Sequence, residues 1–214
     1  MIITWQNLLL SVSAKPQALL WSTADLNLES ADNSGRLLTR FKSPSGDIPT
    51  SCTWVPNNHS HLLLGYRNSG LNLFDTQGLL ISNHTLPVQS QPNHLDCHPT
   101  MSLAATAHES GDLNLFDFAA GKTIKTLAGA HSAQRGAASQ VKFANGGLHL
   151  ISGGHDGSVK IWDMRTHRVL QEVRIAHQRK FDEAVMSLAL HPEAPFFASG
   201  GADCVVNIYE LRLQ

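Results

Sequence analysis

The sequence predicts an all-β fold assembled from repeated units of short strands, and two observations carry this prediction. The first is a recurring unit: a hydrophobic strand, a turn rich in Gly, Asp and Ser, and a strand that ends in an aromatic residue. These aromatic residues lie 53, 42, 46 and 47 positions apart, at Trp21, Phe74, Phe116, Trp162 and Tyr209. The second is alternation of apolar and polar residues with period 2, since no 11-residue window shows the 3.6-residue period of a helix.

The repeat is clearest in the segments 150–163 and 197–210, which share a Ser-Gly-Gly sequence, a turn and a closing strand. Weaker copies lie at 10–21, 71–75 and 106–117. A Trp-Asp or Phe-Asp dipeptide closes the three units that end at positions 75, 117 and 163. Units of about 40–45 residues with this ending are typical of WD repeats, whose four strands form one blade of a β-propeller.

Two further strands complete each unit. One precedes the hydrophobic strand and ends at a turn, as at 51–56, 95–99, 141–143 and 186–192. The other follows the closing aromatic residue, as at 36–42, 79–86, 122–127 and 168–175. Four short strands at even spacing make one blade. We therefore expect one domain over 1–214, a WD-repeat β-propeller of about five four-stranded blades, at 1–42, 49–86, 92–128, 138–175 and 185–214.

The two ends of the chain predict an incomplete propeller. The fifth unit stops after its third strand, at Gln214, and Met1 already lies in the inner strand of the first unit. We therefore expect the last blade to lack its outer strand and upstream blades to be absent. An uncovered blade face exposes on the order of 500 Å² of mostly apolar surface, which forfeits roughly 12 kcal/mol. Because whole domains are stable by only about 5–15 kcal/mol, we expect the isolated chain to be unstable, to aggregate, or to close as a strained smaller ring.

Composition argues against several classes of protein. The formal net charge is −1 and only 15% of residues are charged, so nothing indicates a nucleic acid or an anionic membrane as partner. No apolar run approaches the roughly 18 residues of a membrane span, and the first residues do not form a signal peptide. Cys52, Cys97 and Cys204 are far apart and odd in number, which favours reduced thiols in an intracellular, cytoplasmic protein.

Ser, His and Asp residues recur at matching places in the two clearest units. The fourth unit has His131, Ser152, Asp156 and Trp162, and the fifth has His177, Ser199, Asp203 and Tyr209. A serine hydrolase uses the same residue types. A catalytic triad need not recur once per repeat, however, whereas a structural network should. We interpret each set as a structural tetrad, a buried chain of hydrogen bonds that fixes two loops to the blade.

The first three units depart from this pattern. The residues at the tetrad positions are Ser11, Lys15 and Trp21 in the first unit, Asn68 and Phe74 in the second, and Thr106, Ser110 and Phe116 in the third. Since phenylalanine has no hydrogen-bond donor, the second and third blades should depend more on packing.

Other residue patterns suggest ligands, and we weigh them against structural explanations. His94, Asp96 and His98 would share one face of a strand and could bind zinc. A strand that ends in a His-Pro turn, as again at 191–192, explains the same residues, and we favour it. No Gly-rich loop follows a strand and opens a helix, so nucleotide binding is unsupported. We expect no metal, no cofactor and no catalytic residue.

Propellers carry loops on two rims, and loops on a rigid scaffold commonly bind partners. We expect partner contacts on the rim formed by the loops that lead into each blade and by the turns between second and third strands. The candidate residues there are Arg67, Asn68, His108, Glu109, Arg135, His155, Arg179, Lys180 and Phe181. Phe181 is an apolar side chain among charges, as in interface hot spots, although a solvated loop is the alternative explanation.

Two parts of the sequence resemble the striatin family. One comprises His98-Pro99-Thr100, then Thr106 to Glu109, then Gly121-Lys122. The other runs from Ala176 to Glu183 and continues through His191-Pro192 to the segment 198–203. The resemblance covers most of 95–214, and across 1–94 it rests on the strand pattern.

The resemblance implies an intracellular scaffold that acts as a regulatory subunit of protein phosphatase 2A. Striatins gather this phosphatase, Ste20-like kinases and Mob-type adaptors into one assembly, and also carry a coiled coil, a caveolin-binding segment and a calmodulin-binding segment. We expect protein partners, no nucleic acid and no direct insertion into a membrane. The alternatives are a WD-repeat adaptor of another family, such as a ubiquitin-ligase substrate receptor, and, more remotely, a hydrolase using Ser152 or a metal-dependent enzyme at His94 and His98.

Overall fold

A computed structural model describes residues 2–5, 7–24, 36–56, 58, 60–131 and 136–211. Within these ranges, nineteen strands form five antiparallel sheets, four with four strands and one with three. Each sheet follows the chain order, so every strand pairs with its neighbours in sequence. Strands of four to seven residues are what the period-2 segments separated by Gly, Asn and Asp turns predict.

The five sheets are the blades. Blade one contains β1 (Ile2–Trp5), β2 (Leu8–Val12), β3 (Gln17–Ser22) and β4 (Arg36–Lys42). Blade two contains β5 (Pro49–Trp54), β6 (His61–Tyr66), β7 (Gly70–Asp75) and β8 (Leu80–Thr85). Blade three contains β9 (Pro92–Cys97), β10 (Leu103–His108), β11 (Leu113–Asp117) and β12 (Lys122–Leu127). Blade four contains β13 (Ala138–Ala144), a short 3₁₀ helix (Asn145–Gly147), β14 (His149–Gly154), β15 (Val159–Asp163) and β16 (Arg168–Val173). Blade five contains β17 (Val185–Leu190), β18 (Phe196–Gly201) and β19 (Val206–Glu210).

The blades are arranged around a common axis. The first strands of consecutive blades contact one another, from β1 to β5, β5 to β9, β9 to β13 and β13 to β17. The first strand of each blade is therefore innermost and the fourth is outermost. This arrangement confirms the predicted all-β, incomplete WD-repeat propeller.

The hydrophobic core lies between blades, with one cluster at each of the four junctions. Blades two, three and four contribute both of their faces to these clusters, whereas blades one and five contribute one face each. We call the face toward the next blade the forward face. In blades one to four its apolar members are Leu10, Ala18 and Leu20; Leu63, Leu71 and Leu73; Ala105, Leu113 and Leu115; and Ile151, Val159 and Ile161.

The opposite side of each blade, which we call the rear face, ends in an aromatic residue. In blades two to five its members are Cys52, Leu62 and Phe74; Leu95, Ala104 and Phe116; Val141, Leu150 and Trp162; and Leu188, Phe197 and Tyr209. Neighbouring strand residues point to opposite sides of a sheet, so a nearly continuous apolar strand can serve both junctions. The closing aromatic residues of these four blades thus belong to the core and pack against the blade that precedes them.

The forward face of blade five is uncovered. Val159 and Ile161 of blade four are 1% and 4% exposed, whereas their counterparts Val206 and Ile208 are 70% and 75% exposed. A chain closed into a smaller ring would bury these two side chains against blade one. The structure therefore does not show a strained smaller ring, which was one of the three outcomes that we expected for the isolated chain.

Candidate functional site

The rim where we expect partner contacts, the lead-in rim, comprises the loops that lead into blades two to five and the turns between second and third strands. In blade four, a chain of hydrogen bonds connects the two kinds of loop. The Trp162 indole N–H donates to Ser152 Oγ at 2.8 Å, and Ser152 Oγ lies 2.7 Å from His131 Nε2. The other ring nitrogen, Nδ1, lies 3.1 Å from Asp156 Oδ1. Because Ser152 Oγ accepts from Trp162, its own hydrogen is available to Nε2, which places the imidazole proton on Nδ1, facing Asp156.

This hydrogen-bond network is buried, so its serine and histidine are not accessible for catalysis. Ser152 and His131 are fully buried, so the serine hydroxyl cannot meet a substrate. Burial of the Asp156 carboxyl opposes its ionisation, but hydrogen bonds from His131 and Ser158 outweigh this effect and lower the pKa. Gly154 makes room for the imidazole, because a Cβ there would lie 2.5 Å from the His131 ring. The network holds the loop into blade four against the turn at 155–158.

Blade five repeats two of the three contacts. His177 Nε2 lies 2.7 Å from Ser199 Oγ, and Nδ1 lies 3.0 Å from Asp203 Oδ1. Burial of the Asp203 carboxyl opposes ionisation, but hydrogen bonds from the Gln178 backbone N–H and from His177 outweigh it and lower the pKa to about 2. These contacts hold the loop into blade five against the turn at 202–205.

Tyr209, predicted as the fourth member, is placed differently. Its ring stacks on Phe197 at 4.7 Å between centroids, and it makes no hydrogen bond to Ser199 among the described residues. The phenol hydroxyl lies at the far tip of its ring, whereas the indole N–H of Trp162 lies at the side of its ring, near the strand. A short serine side chain on the neighbouring strand is within reach only of the indole.

Blade three builds a different network, and it corrects one predicted partner contact. His108 is fully buried, so it cannot contact a partner from the rim. Its Nε2 lies 2.8 Å from Thr106 Oγ1, and its Nδ1 lies 2.8 Å from the Ser90 carbonyl oxygen. His108 occupies the strand position of Gly154 in blade four, and it reaches the loop into blade three at the Ser90 carbonyl oxygen. The imidazole therefore comes from the strand instead of the loop.

Blades one and two keep parts of the pattern. Trp21 Nε1 donates to Ser11 Oγ at 3.1 Å, which reproduces the indole contact of blade four. In blade two, Phe74 packs edge-on against Phe41 with ring centroids 5.5 Å apart. Asn68 ties its turn to the preceding loop through a hydrogen bond from its amide to Asp47.

The structure divides the remaining rim candidates by accessibility. Arg67, Asn68, Glu109, Lys180 and Phe181 are exposed. His155 is half-buried and its Nδ1 accepts a hydrogen bond from the Ala184 N–H at 3.2 Å, so it supports the neighbouring loop. The half-buried Arg179 pairs with Asp182 at 3.1 Å. Arg135 lies outside the described residues.

The loop into blade five ends in a tight hairpin over residues 180–183, which the sequence did not predict. Backbone hydrogen bonds join Lys180 N to Glu183 O at 2.7 Å and Glu183 N to Lys180 O at 2.9 Å. The two central residues, Phe181 and Asp182, have φ values of 51° and 69°. Positive φ at both positions indicates a type I′ turn, which normally uses Asn-Gly. A phenylalanine in this conformation is strained.

Hydrogen bonds to the neighbouring turn of blade five hold the base of the hairpin, and its tip carries an exposed apolar side chain. Ala202 N donates to Ala184 O at 2.8 Å, and Gln178 N donates to Asp203 Oδ2 at 3.0 Å. Phe181 at the tip is 99% exposed. The network of His177, Ser199 and Asp203 thus fixes the loop whose tip carries Phe181. Backbone strain at an exposed apolar residue is typical of a binding element.

The histidines considered as zinc ligands have other partners. Asp96 Oδ1 pairs with Lys142 Nζ at 3.0 Å, and Asp96 Oδ2 accepts the Phe143 N–H at 2.8 Å. His98 Nδ1 accepts backbone N–H groups of the turn that follows it. Burial and the nearby Lys142 charge lower the pKa of His94 to about 3, which keeps its imidazole neutral. Among the described residues, no three His, Cys, Asp or Glu side chains come close enough together to hold a metal ion.

A groove of about 740 Å³ lies on the opposite rim, between blades three and four. Its exposed apolar lining comes from four side chains in turns and outer strands, Met101, Ile124, Leu148 and Leu170. Sequence reasoning missed this groove, because the four residues come from separate segments. No helix in the described ranges has the length and apolar character needed to cross a membrane.

Comparison with known proteins agrees with this geometry. Residues 121–163 and 170–210 match the family model described as WD domain, G-beta repeat. The computationally designed Ika8 protein superposes with a TM-score of 0.74 at 18% identity, over 98% of this chain and 57% of its own, a likeness of fold alone.

Curated relatives extend the match along most of the chain. Striatin of Rattus norvegicus is 30% identical over 210 residues, which are 94% of this chain and 26% of the relative. Striatin-3 of Rattus norvegicus is 27% identical over 95% of the chain, and the striatin homolog of Dictyostelium discoideum is 31% identical over 94%. The chain spans about a quarter of the length of these relatives. The repeat matches and this similarity together support a striatin-family WD-repeat region.

Proposed function

We propose that this chain is a protein-interaction platform that helps assemble a protein phosphatase 2A and kinase signalling complex in the cytoplasm. The partners in this proposal are the phosphatase core, Ste20-like kinases and Mob-type adaptors, as the striatin resemblance implies. Ser152 takes no catalytic part in this role, since its hydroxyl is buried and hydrogen-bonded. The lead-in rim makes the contacts.

The observation that carries the proposal is the hairpin at 180–183. A fully exposed phenylalanine costs solubility, and its left-handed backbone costs stability, so neither feature serves the fold. The charged neighbours Lys180, Asp182 and Glu183 are exposed as well. An exposed apolar side chain among charged residues is typical of a binding hot spot.

The cysteines support an intracellular setting. Cys52, Cys97 and Cys204 are all free thiols, as is usual in a reducing compartment. Burial raises the pKa of the Cys52 thiol to about 12 and keeps it protonated, so this residue is a packing element and not a nucleophile.

The test is capture of purified phosphatase 2A core, a Ste20-like kinase and a Mob-type adaptor by immobilised chain carrying Phe181→Asn. Asparagine tolerates positive φ, so the hairpin should persist while the anchor is lost. We expect capture of at least one partner to fall about tenfold or more. The matched control is Leu79→Asn, which removes an apolar side chain that is 66% exposed on the opposite rim, in the turn between β7 and β8.

Two results would count against the proposal. Undiminished capture of every partner by Phe181→Asn would remove the hairpin from the interface. Failure of the unaltered chain to capture any of the three, with folding verified by circular dichroism, would remove the proposed assembly role.

A further inference from the structure

The groove on the opposite rim is formed by two adjacent blades in the interior of the arc. Its volume is about 740 Å³, and it lies between blades three and four, each of which also contacts a further blade on its other side. Both walls of the groove therefore belong to blades with neighbours on either side. Four apolar side chains of the lining are between 52% and 64% exposed, namely Met101, Ile124, Leu148 and Leu170.

Two of these four side chains belong to the repeat. Ile124 and Leu170 occupy the bulge of the fourth strand in blades three and four. Leu38 and Ile81 occupy the same bulge in blades one and two, and all four residues are between 44% and 54% exposed. An apolar residue at this bulge is thus a feature of the repeat and by itself indicates no partner.

The other two side chains are specific to this junction. Met101 and Leu148 lie in the turns between the first and second strands of blades three and four, and they are 53% and 64% exposed. The corresponding turns of blades one, two and five, at 6–7, 56–60 and 191–195, contain no leucine, isoleucine, valine or methionine. Exposed apolar side chains that gather at one place, beyond what the repeat requires, indicate a binding surface.

The fourth strands that border the groove are unsuited to pairing with an added strand. The register shifts at Ile124 in β12 and at Leu170 in β16. A bulge bends a strand, increases its twist and interrupts the row of backbone groups that an extended segment needs. Recognition in the groove therefore depends on side chains. An α-helix satisfies its own backbone hydrogen bonds and presents apolar side chains at positions i, i+3, i+4 and i+7, which is how helices bind apolar grooves.

The polar lining selects the charge of such a helix. Asp117 and Asp163 end β11 and β15 and both line the groove, where Arg165 is the only lysine or arginine among the described lining residues. Asp117 accepts backbone N–H groups of the turn at 119–120 and forms no ion pair within the described ranges, although Lys122 lies opposite it in the ladder. A carboxylate without a cationic partner favours lysine or arginine on the ligand. The remaining ionisable lining groups are three histidines, His98, His149 and His167.

We propose that this groove binds an amphipathic α-helix of a partner protein, with an apolar face and with lysine or arginine residues beside that face. The apolar face lies against the four exposed apolar side chains, and a basic residue reaches Asp117. The described part of this chain contains no α-helix, so those residues of a second copy do not supply the segment. The groove is on the rim opposite Phe181, so it is independent of the surface proposed above.

The test is a fluorescence anisotropy titration of the whole chain into three labelled peptides of about 18 residues, at about 0.15 M salt to screen long-range attraction. In the basic peptide, leucines recur at i, i+3, i+4 and i+7, and lysines fill the other positions. The acidic twin has glutamate in place of each lysine, and the broken twin carries two central prolines that prevent a helix. We expect the basic peptide to bind with a Kd in the micromolar range and each twin to bind about tenfold more weakly or less.

Matched variants locate the site. Ile124→Asn should weaken binding of the basic peptide about fivefold to tenfold, whereas Ile81→Asn, with the same residue type at the same bulge of blade two, should leave it unchanged. Asp117→Asn keeps an oxygen for the turn at 119–120 and removes the charge, so it should weaken the basic peptide about threefold and the acidic twin not at all. Phe181→Asn, on the other rim, should have no effect.

Several results would overturn the proposal. Absence of saturable binding of the basic peptide up to about 1 mM would remove the groove as a helix site. Equal weakening by Ile124→Asn and Ile81→Asn would show that any exposed bulge residue suffices. Equal binding of the broken twin would indicate an extended segment, and equal binding of the acidic twin would contradict the charge preference. Leu148→Asn supplies a second groove variant, and thermal melts verify that every variant is folded.

Discussion

Replacing Ser152 by alanine tests the proposed structural role of the tetrad in blade four. The hydroxyl accepts from Trp162 at 2.8 Å and contacts His131 at 2.7 Å, and all three groups are buried. The substitution leaves an indole N–H and an imidazole nitrogen without partners. A buried polar group without a partner costs about 1–3 kcal/mol, and partial relaxation limits the sum, so we expect a loss of roughly 2–4 kcal/mol.

Ser199→Ala in blade five is the matched control, because the same residue type in the same position holds only one side-chain partner. Ser199 contacts His177 at 2.7 Å, while Tyr209 stacks elsewhere. One orphaned group should cost about 1–2 kcal/mol, less than Ser152→Ala. Urea titrations of both variants give the two free energies, provided that the m-values agree.

A double-mutant cycle isolates the indole contact. Trp162→Phe removes the donor, so Ser152→Ala should cost about 1 kcal/mol less in that background than in the unaltered chain. Equal losses for Ser152→Ala and Ser199→Ala, with no coupling to Trp162, would refute the reasoning. Unchanged stability together with the loss of a hydrolytic activity would favour the enzyme alternative.

Three further predictions follow from single positions. Phe181→Gly should raise the free energy of unfolding by up to about 1 kcal/mol, because glycine adopts positive φ without strain; a lower melting temperature would contradict this. Gly154→Ala should lower the melting temperature, because its Cβ would lie 2.5 Å from the His131 ring, and an unchanged melt would disprove the tight contact. His94 has a pKa of about 3 when folded and near 6.5 when unfolded, so the unfolded chain binds more protons between these values and stability rises with pH. From pH 7 to pH 5 the free energy of unfolding should therefore fall by about 2 kcal/mol because of His94. Urea titrations at both pH values should show a fall that is smaller by this amount in His94→Gln.

Repeat spacing and strand alternation predicted the propeller architecture well, because both are local properties of the chain. Alternation assigns neighbouring residues to opposite sides of a sheet, so the forward and rear faces follow from the order of residues in each strand. The pairings of His131 with Ser152 and of His177 with Ser199 were also accessible to sequence reasoning, since equivalent residues recur in equivalent places of two units.

Contacts between segments could not be inferred in the same way. Whether Tyr209 reaches Ser199 depends on where the tip of its ring lies, and whether His108 faces solvent depends on the loop packed above it. The left-handed conformation of Phe181 is set by the backbone bonds between Lys180 and Glu183, which composition does not reveal.

The sequence by itself determined the all-β class, the repeat and the order of strands, because these depend on residues close together in the chain. Tertiary structure alone decided which groups are buried, which are bonded and which remain exposed. The physical reason is that burial and hydrogen bonding are properties of pairs of surfaces, and the partner surface comes from a distant part of the chain. Ile161 and Ile208 occupy the same position in two repeats, yet one is 4% exposed and the other 75%, because a following blade covers only the first.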